Sequence, residues 1–149
     1  MRPRWATHAR SAHDGHMADN EQSITPMTED ECWEFLSMQP IGRLGTAVAS
    51  EPEIFPLNFA TADRAIYFHT IPGTKVAEVA INEKVAFEVD QWGPEIAYSV
   101  IVKGTAEILE TDADIAAAES TNLISYLDDT RDTWVRITPT RVTGRRLRR

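Results

Sequence analysis

The spacing of apolar positions first follows a helical period. Thr28 and Glu31 have the spacing of a capping box, in which each side chain accepts a hydrogen bond from the other residue's backbone amide. The apolar residues that follow recur with a period close to 3.6, and they include Cys32. A helix is therefore predicted over residues 28–38, ended by the helix breakers Pro40 and Gly42.

The pattern then changes to strict alternation, which is typical of half-buried strands. Strands are predicted over residues 43–50, 53–60 and 65–69, with turns at 51–52 and 61–64. Pro56 interrupts the second strand and indicates an edge strand or a bulge. The three strands are expected to form a meander in which the second pairs with the third.

The second half of the chain alternates between the two periods. Its predicted elements are a loop over 70–73, a helix over 74–82, a strand over 84–90, a loop over 91–95, a strand over 96–109 bent at Gly104, a helix from Thr111 to about Leu127, and strands over 134–138 and 141–147. A sheet of such short strands must close or pair its edges to stay soluble. A small antiparallel Greek-key barrel of six to seven strands with two or three flanking helices satisfies this requirement. The fold class is therefore mainly β, of the α+β type.

Composition narrows the class of protein. The 149 residues are 42% hydrophobic and carry a net charge of -8, which suits one globular domain and disfavours a nucleic-acid surface. No apolar run reaches the ~20 residues of a membrane span, and no secretory signal is visible. The lone Cys32 is expected to be buried in a cytoplasmic protein. A nucleic-acid role for the arginines over 141–149 is the minority interpretation.

The polar N-terminal segment shows no apolar period and is predicted to be a flexible tail over residues 1–26. The domain then spans 27–147, and 148–149 form a basic end. His8, His13 and His16 lie in the tail, where nothing presets the geometry of a metal site, so no metal is predicted.

The segment from His69 to Lys75 is the strongest candidate site. A helix N-terminus attracts anions through its unpaired amides. Gly73 lets the backbone approach a ligand, Thr70 and Thr74 supply hydroxyl groups, and Lys75 supplies a positive charge. The segment matches neither the P-loop nor the dinucleotide-binding fingerprint. The alternative is an ordinary N-cap at Thr74, with Lys75 a surface lysine and His69 a satisfied polar residue.

A second candidate is the proline-interrupted strand 56–59. Its free backbone N–H and C=O groups suit the donor–acceptor edge of a flavin ring, while the alternative is an ordinary edge strand. No catalytic residue is identified: Cys32 has no evident histidine partner, and Glu88 and Asp90 alternate as on a solvated face.

Taken together, these segments resemble the pyridoxamine 5′-phosphate oxidase-like family of FMN-binding split barrels, most closely its nitroimidazole-resistance-like branch. The resemblance covers residues 28–144 and rests on the order and spacing of four segments. They are Gly42-Arg43-Leu44-Gly45-Thr46-Ala47, Pro56-Leu57-Asn58-Phe59, Ile66-Tyr67-Phe68-His69 with Gly73-Thr74-Lys75, and Val85-Ala86-Phe87-Glu88-Val89-Asp90.

The resemblance implies a homodimer with FMN at the subunit interface and a role for each candidate residue. The residues implied at the flavin ring are Pro56, Leu57, Asn58 and Phe59. His69 and Thr70 are implied beside the ribityl chain and phosphate, and Thr74 and Lys75 on the phosphate. Ser99 stands where the oxidases carry a glutamine near the flavin. Trp92 is implied to reach the partner's flavin.

The C-terminus departs from the oxidase pattern. The segment 141–147 lacks the arginine–histidine pair that holds pyridoxamine phosphate, and it lacks the terminal Arg-Leu-x-Pro. The expected function is therefore FMN-dependent oxidoreduction of an unknown small acceptor rather than vitamin B6 synthesis. The alternatives are an F420-dependent reductase and a flavin-binding or sensing module without turnover.

Overall fold

The computed structural model describes residues 23–79, 83–124 and 133–149. In chain order the elements are β1 (Ile24–Met27), α1 (Glu29–Ser37), β2 (Ile41–Val48), β3 (Glu51–Asn58), β4 (Ala60–Ala62), β5 (Ala65–Thr70), α2 (Lys75–Val79), β6 (Glu83–Trp92), β7 (Ile96–Ile108), α3 (Asp112–Glu119) and β8 (Thr133–Arg148). The mainly β fold class is confirmed. Seven strands form one antiparallel path, and β1 pairs with β8 beside it.

The first helix begins as its sequence predicts. The Glu31 amide donates to Thr28 Oγ1 over 3.2 Å, and the Thr28 amide donates to Glu31 Oε1 over 3.0 Å. The backbone hydrogen bond from Thr28 is the main reason that the pKa of Glu31 lies below its usual value. The apolar face of α1 is buried, and Cys32 is fully covered, with burial raising the pKa of its thiol.

The strand order forces the sheet to curl. Along the path β3-β2-β6-β7-β8-β5-β4, the two edge strands are β3 and β4. These strands are consecutive in the chain and are separated only by Phe59. The two edges of the sheet therefore meet at Phe59, which is buried and packs edge-on against Phe87 with ring centroids 4.9 Å apart.

The core fills the inside of this curl. The inward faces of the long strands supply its fully buried side chains, among them Leu44, Phe68 and Phe87. A smaller cluster on the outer face includes Tyr67 and Trp134, and Ala118 of α3 covers it. Alternate residues of a strand point to opposite faces, so β5 contributes to both clusters.

An ion cluster fixes α3 to the sheet. Arg136 of β8 donates to Glu107 over 2.6 Å and to Asp114 over 3.1 Å. These contacts raise the pKa of Arg136, with the Glu107 hydrogen bond the largest cause, and they lower the pKa of Asp114.

The predicted meander is confirmed for its first pair of strands and is wrong for its second. β3 pairs with β2 through Leu44–Phe55 and their neighbours, whereas β5 pairs with the separate short strand β4 through Ala60–Tyr67. The β2–β3 turn lies at Ala49 and Ser50, both with positive φ, rather than at residues 51–52. Non-glycine residues adopt this conformation too rarely for the turn to be read from composition.

Several predicted boundaries also shift. The two predicted C-terminal strands are one continuous strand, β8, which pairs with β7 on both sides of a register shift between Lys103 and Gly104. Trp92 ends β6 instead of lying in a loop. α3 ends at Glu119, and residues 125–127 of the longer helix predicted there lie outside the described residues. β1 adds residues 24–26 of the predicted tail to the sheet.

Candidate functional site

The most unusual feature of the sheet is a seam between its two edges. Extending the Ala60–Tyr67 register backwards would place Asn58 opposite His69 and Leu57 opposite Thr70. Those pairs do not form, because β3 turns away to pair with β2. The seam is the gap that results, with residues 53–58 on one side and residues 70–75 on the other.

The loop after β5 is organised by Thr74. The Thr74 hydroxyl donates to the Ile71 carbonyl over 2.7 Å, accepts from the Ala77 amide over 3.3 Å, and lies 3.3 Å from the buried Thr70 hydroxyl. Gly73 has φ +87°, and a Cβ at this position would meet nothing within 4 Å. The loop therefore keeps an open approach at Gly73 beside two threonine hydroxyls.

Lys75 crosses the seam. Its Nζ lies 2.5 Å from Glu53 Oε1 on β3. The hydrogen bond with Glu53 is the main reason that the pKa of Lys75 is raised, and the charges of Glu51 and Glu78 add to the effect. The lysine predicted to hold a phosphate is thus paired with Glu53, a carboxylate that no sequence motif marks.

His69 does not join this group. Its ring lies against Trp134, with centroids 3.7 Å apart, on the outer face of the sheet. Thr70 points inward and is 3% exposed, because neighbouring residues of a strand face opposite sides. Thr70 and Thr74 therefore lie side by side, Lys75 turns to Glu53, and His69 lies on the opposite face of β5. The roles of these residues at a cofactor stay predictions.

Two buried polar atoms along β2 and β3 have no hydrogen-bond partner among the described residues. One is Oδ1 of Asn58, whose Nδ2 donates to the Pro40 carbonyl over 2.9 Å. The other is the hydroxyl of Thr46, the cross-strand partner of Glu53. Orphaned buried groups cost free energy and mark places where a ligand can supply the missing partner.

Three other residues predicted to lie at the flavin ring, Pro56, Leu57 and Phe59, lie at or just after the end of the edge strand β3. Pro56 is exposed, Leu57 is partly buried and packs against the core, and Phe59 is fully inside it. Since Phe59 closes the curl, it bounds the seam rather than facing it. Pro56 has no amide to donate, so the edge of β3 offers fewer donors at this point.

Trp92 and Ser99 lie elsewhere in the chain. Trp92 is 48% exposed at the end of β6, and Ser99 lies on β7 opposite Asp90. These strands are two and three places from β3, or about 10 and 14 Å at the usual strand spacing. A single chain therefore does not bring them to the seam.

Glu88 and Asp90 are predicted to lie on a solvated face, and the structure shows that both form ion pairs with Arg43. Arg43 Nη1 lies 3.0 Å from Glu88 and 3.3 Å from Asp90, across β2 and β6. Burial, followed by the charge of Asp90, raises the pKa of Glu88 although Arg43 opposes the change. Cross-strand register is the only signal that would have found this trio, and sequence spacing does not contain it.

Within residues 23–79, 83–124 and 133–149, no three His, Cys, Asp or Glu side chains form a group that could hold a metal ion. His8, His13 and His16 lie outside these residues. None of the described helices has the length and hydropathy to cross a bilayer.

Comparison with known proteins gives a match to a family and to solved structures. The family model described as pyridoxamine 5′-phosphate oxidase matches residues 28–146. Uncharacterized proteins from two strains of Mycobacterium tuberculosis are 35% identical over 85 residues, covering 57% of this chain and 77% of theirs.

Two solved structures extend the likeness to the fold. The FAD-binding protein of Mycobacterium smegmatis is 40% identical, with a TM-score of 0.77 over 83% of this chain and all of that one. A Corynebacterium glutamicum protein, provisionally described as a pyridoxamine 5′-phosphate oxidase, is 32% identical, with a TM-score of 0.74 over 85% of this chain and 94% of its own.

Proposed function

Because the chain belongs to the pyridoxamine 5′-phosphate oxidase family, we propose that it is a flavin-binding protein whose cofactor lies along the seam between β3 and the β5–α2 loop. The observation that carries this proposal is the seam itself. It is closed at one end by Phe59 and bridged at the other by the Lys75–Glu53 ion pair. The similarity to a flavin-binding protein at 40% identity supports it.

The residues along the seam fit a flavin. The ring has an imide N–H, and Asn58 Oδ1 is a buried acceptor without a partner among the described residues. Thr70, Thr74 and Lys75 would then hold the phosphate.

The cofactor is a flavin that carries a ribityl phosphate. FMN, FAD and the deazaflavin F420 share that group. FMN is the cofactor that the family resemblance implies, and the M. smegmatis relative binds FAD. When bound, the flavin supplies hydride or electron transfer, and the protein supplies binding and orientation. We assign no acid or base, and the proposed reaction passes electrons from a reduced nicotinamide or F420 to a small acceptor.

The active unit in this proposal is a cytoplasmic homodimer. Three isoleucines, Ile41, Ile54 and Ile101, are 36 to 72% exposed and lie on the outer face of the curled sheet. Exposed apolar surface of this kind supports association with a second copy. A second copy would also give Trp92 and Ser99, which lie outside the seam of their own chain, a flavin to contact.

The cofactor that co-purifies with the protein tests this proposal. We expect a yellow protein whose released cofactor has the mass of FMN or FAD, or of F420. Reduction of a panel of acceptors by NAD(P)H or reduced F420 then separates an oxidoreductase from a binding module without turnover. A colourless protein that takes up none of the three cofactors when they are added would rule the proposal out.

A further inference from the structure

Lys75 faces an excess of negative charge. Its ammonium group is 2.5 Å from Glu53 Oε1, and Glu51 and Glu78 also raise its pKa through their charges. One carboxylate therefore contacts the ammonium group, and the charges of two others act on it. A flavin phosphate that reached Lys75 would meet Glu53 beside the same nitrogen, and the two anions would repel each other.

Glu53 is less exposed than its partner. The Glu53 side chain is 27% exposed, whereas that of Lys75 is 59% exposed. Glu53 lies on the edge strand opposite Thr46, whose hydroxyl is buried and has no partner among the described residues. This hydroxyl is a second, independent sign that the end of the seam lacks a polar partner which a ligand could provide.

We propose that Glu53 is an internal competitor for the flavin phosphate: it occupies Lys75 in the flavin-free protein and releases it when the phosphate binds. This inference rests on the proposed function. The phosphate oxygens replace the carboxylate at Lys75 Nζ, and Glu53 turns toward solvent. The cost of that exchange lowers the affinity for every flavin that carries a phosphate and leaves riboflavin, which has none, unaffected.

The variant Glu53→Gln tests the competitor directly. It keeps the shape of the side chain and removes its charge, so we expect FMN to bind about three- to fivefold more tightly. Riboflavin affinity should stay within twofold. Glu51→Gln is the matched control, because Glu51 lies on the same strand but forms no ion pair with Lys75, and its gain should stay below about twofold.

Repeating the Glu53→Gln substitution in a Lys75→Met protein tests whether its effect depends on Lys75. In Lys75→Met protein, Glu53 has no ammonium to hold, and the gain from Glu53→Gln should shrink to that of Glu51→Gln. Unchanged FMN affinity in Glu53→Gln, or an equally large gain in the Lys75→Met background, would overturn the inference. Wild-type protein that binds neither FMN nor riboflavin would instead contradict the proposed function, so the two failures can be told apart.

Discussion

The Lys75 ammonium group lies 2.5 Å from the Glu53 carboxylate, and this contact joins α2 to the edge strand β3 across the seam. The two residues are 22 positions apart and belong to segments that share no backbone pairing. Because both side chains are partly exposed, the ion pair itself adds little to stability. Its importance is that it fixes where the only lysine of the seam points.

Lys75→Ala should weaken binding of FMN. The substitution removes a charge-assisted contact to the phosphate, which is worth about 1.5–3 kcal/mol. Fluorescence titration of the variant with FMN measures the change, and titration with riboflavin is the control because that ligand has no phosphate. Equal FMN affinity in the variant and the wild type would show that Lys75 is only a surface lysine.

Thr46→Val should stabilise the flavin-free protein by about 1 kcal/mol, because it removes a buried hydroxyl that has no partner among the described residues. Urea unfolding measures the difference. Thr105→Val, at an exposed position of β7, is the matched control and should change the unfolding free energy by less than about 0.5 kcal/mol. A loss of stability in Thr46→Val would mean that the hydroxyl is satisfied.

Gly144→Ala should destabilise the fold by about 1–3 kcal/mol. A Cβ at Gly144 would lie 2.5 Å from Cys32 Sγ and 3.0 Å from Met27 Sδ, where β8 passes under α1. At Gly45 the nearest atom to an added Cβ is 3.6 Å away, so Gly45→Ala serves as the control. Equal midpoints for the two variants in chemical denaturation would contradict the close packing of β8 and α1.

The capping box predicts a specific loss of stability in acid. The pKa of Glu31 is lowered, chiefly by the hydrogen bond from the Thr28 amide. The stability that Glu31 contributes is therefore fully present above the ordinary glutamate pKa of about 4.3 and is lost as pH falls through its folded value. Unfolding measured from pH 3 to 7 should show this loss in the wild type.

Glu31→Gln removes the titrating group and should flatten that part of the acid limb. Glu34 lies on the same helix but outside the capping box. The pH dependence of unfolding of Glu34→Gln should therefore follow that of the wild type. Identical slopes in Glu31→Gln and the wild type would mean that another carboxyl group controls the acid limb.

Local interactions explain which parts of the fold could be predicted from sequence. The capping box at Thr28 depends only on neighbouring residues and is found as expected. At Gly104 the structure shows a shift in the β7–β8 register. The pairing of the predicted second strand with the third fails instead: residues 51–58 pair with β2, and only residues 60–62 pair with β5. That break depends on how the whole sheet curls, which the local pattern does not contain.

The candidate site likewise contains residues that local sequence predicts and one residue that only the fold brings to it. Thr70, Thr74 and Lys75 are close in sequence, so the hydroxyl pair and the adjacent lysine could be predicted. Proximity in the chain predicts His69 beside the two threonines, whereas alternation along β5 turns its ring toward Trp134. Glu53 was missed because only the fold brings it to Lys75.

Titration of flavins onto the cofactor-free protein tests the central claim most directly. FMN, FAD and F420 should be compared with riboflavin by fluorescence quenching under identical conditions. The account predicts saturable binding, with at least one phosphate-bearing flavin binding more tightly than riboflavin. The absence of saturable binding for all four ligands would contradict the assignment of the seam as a flavin site.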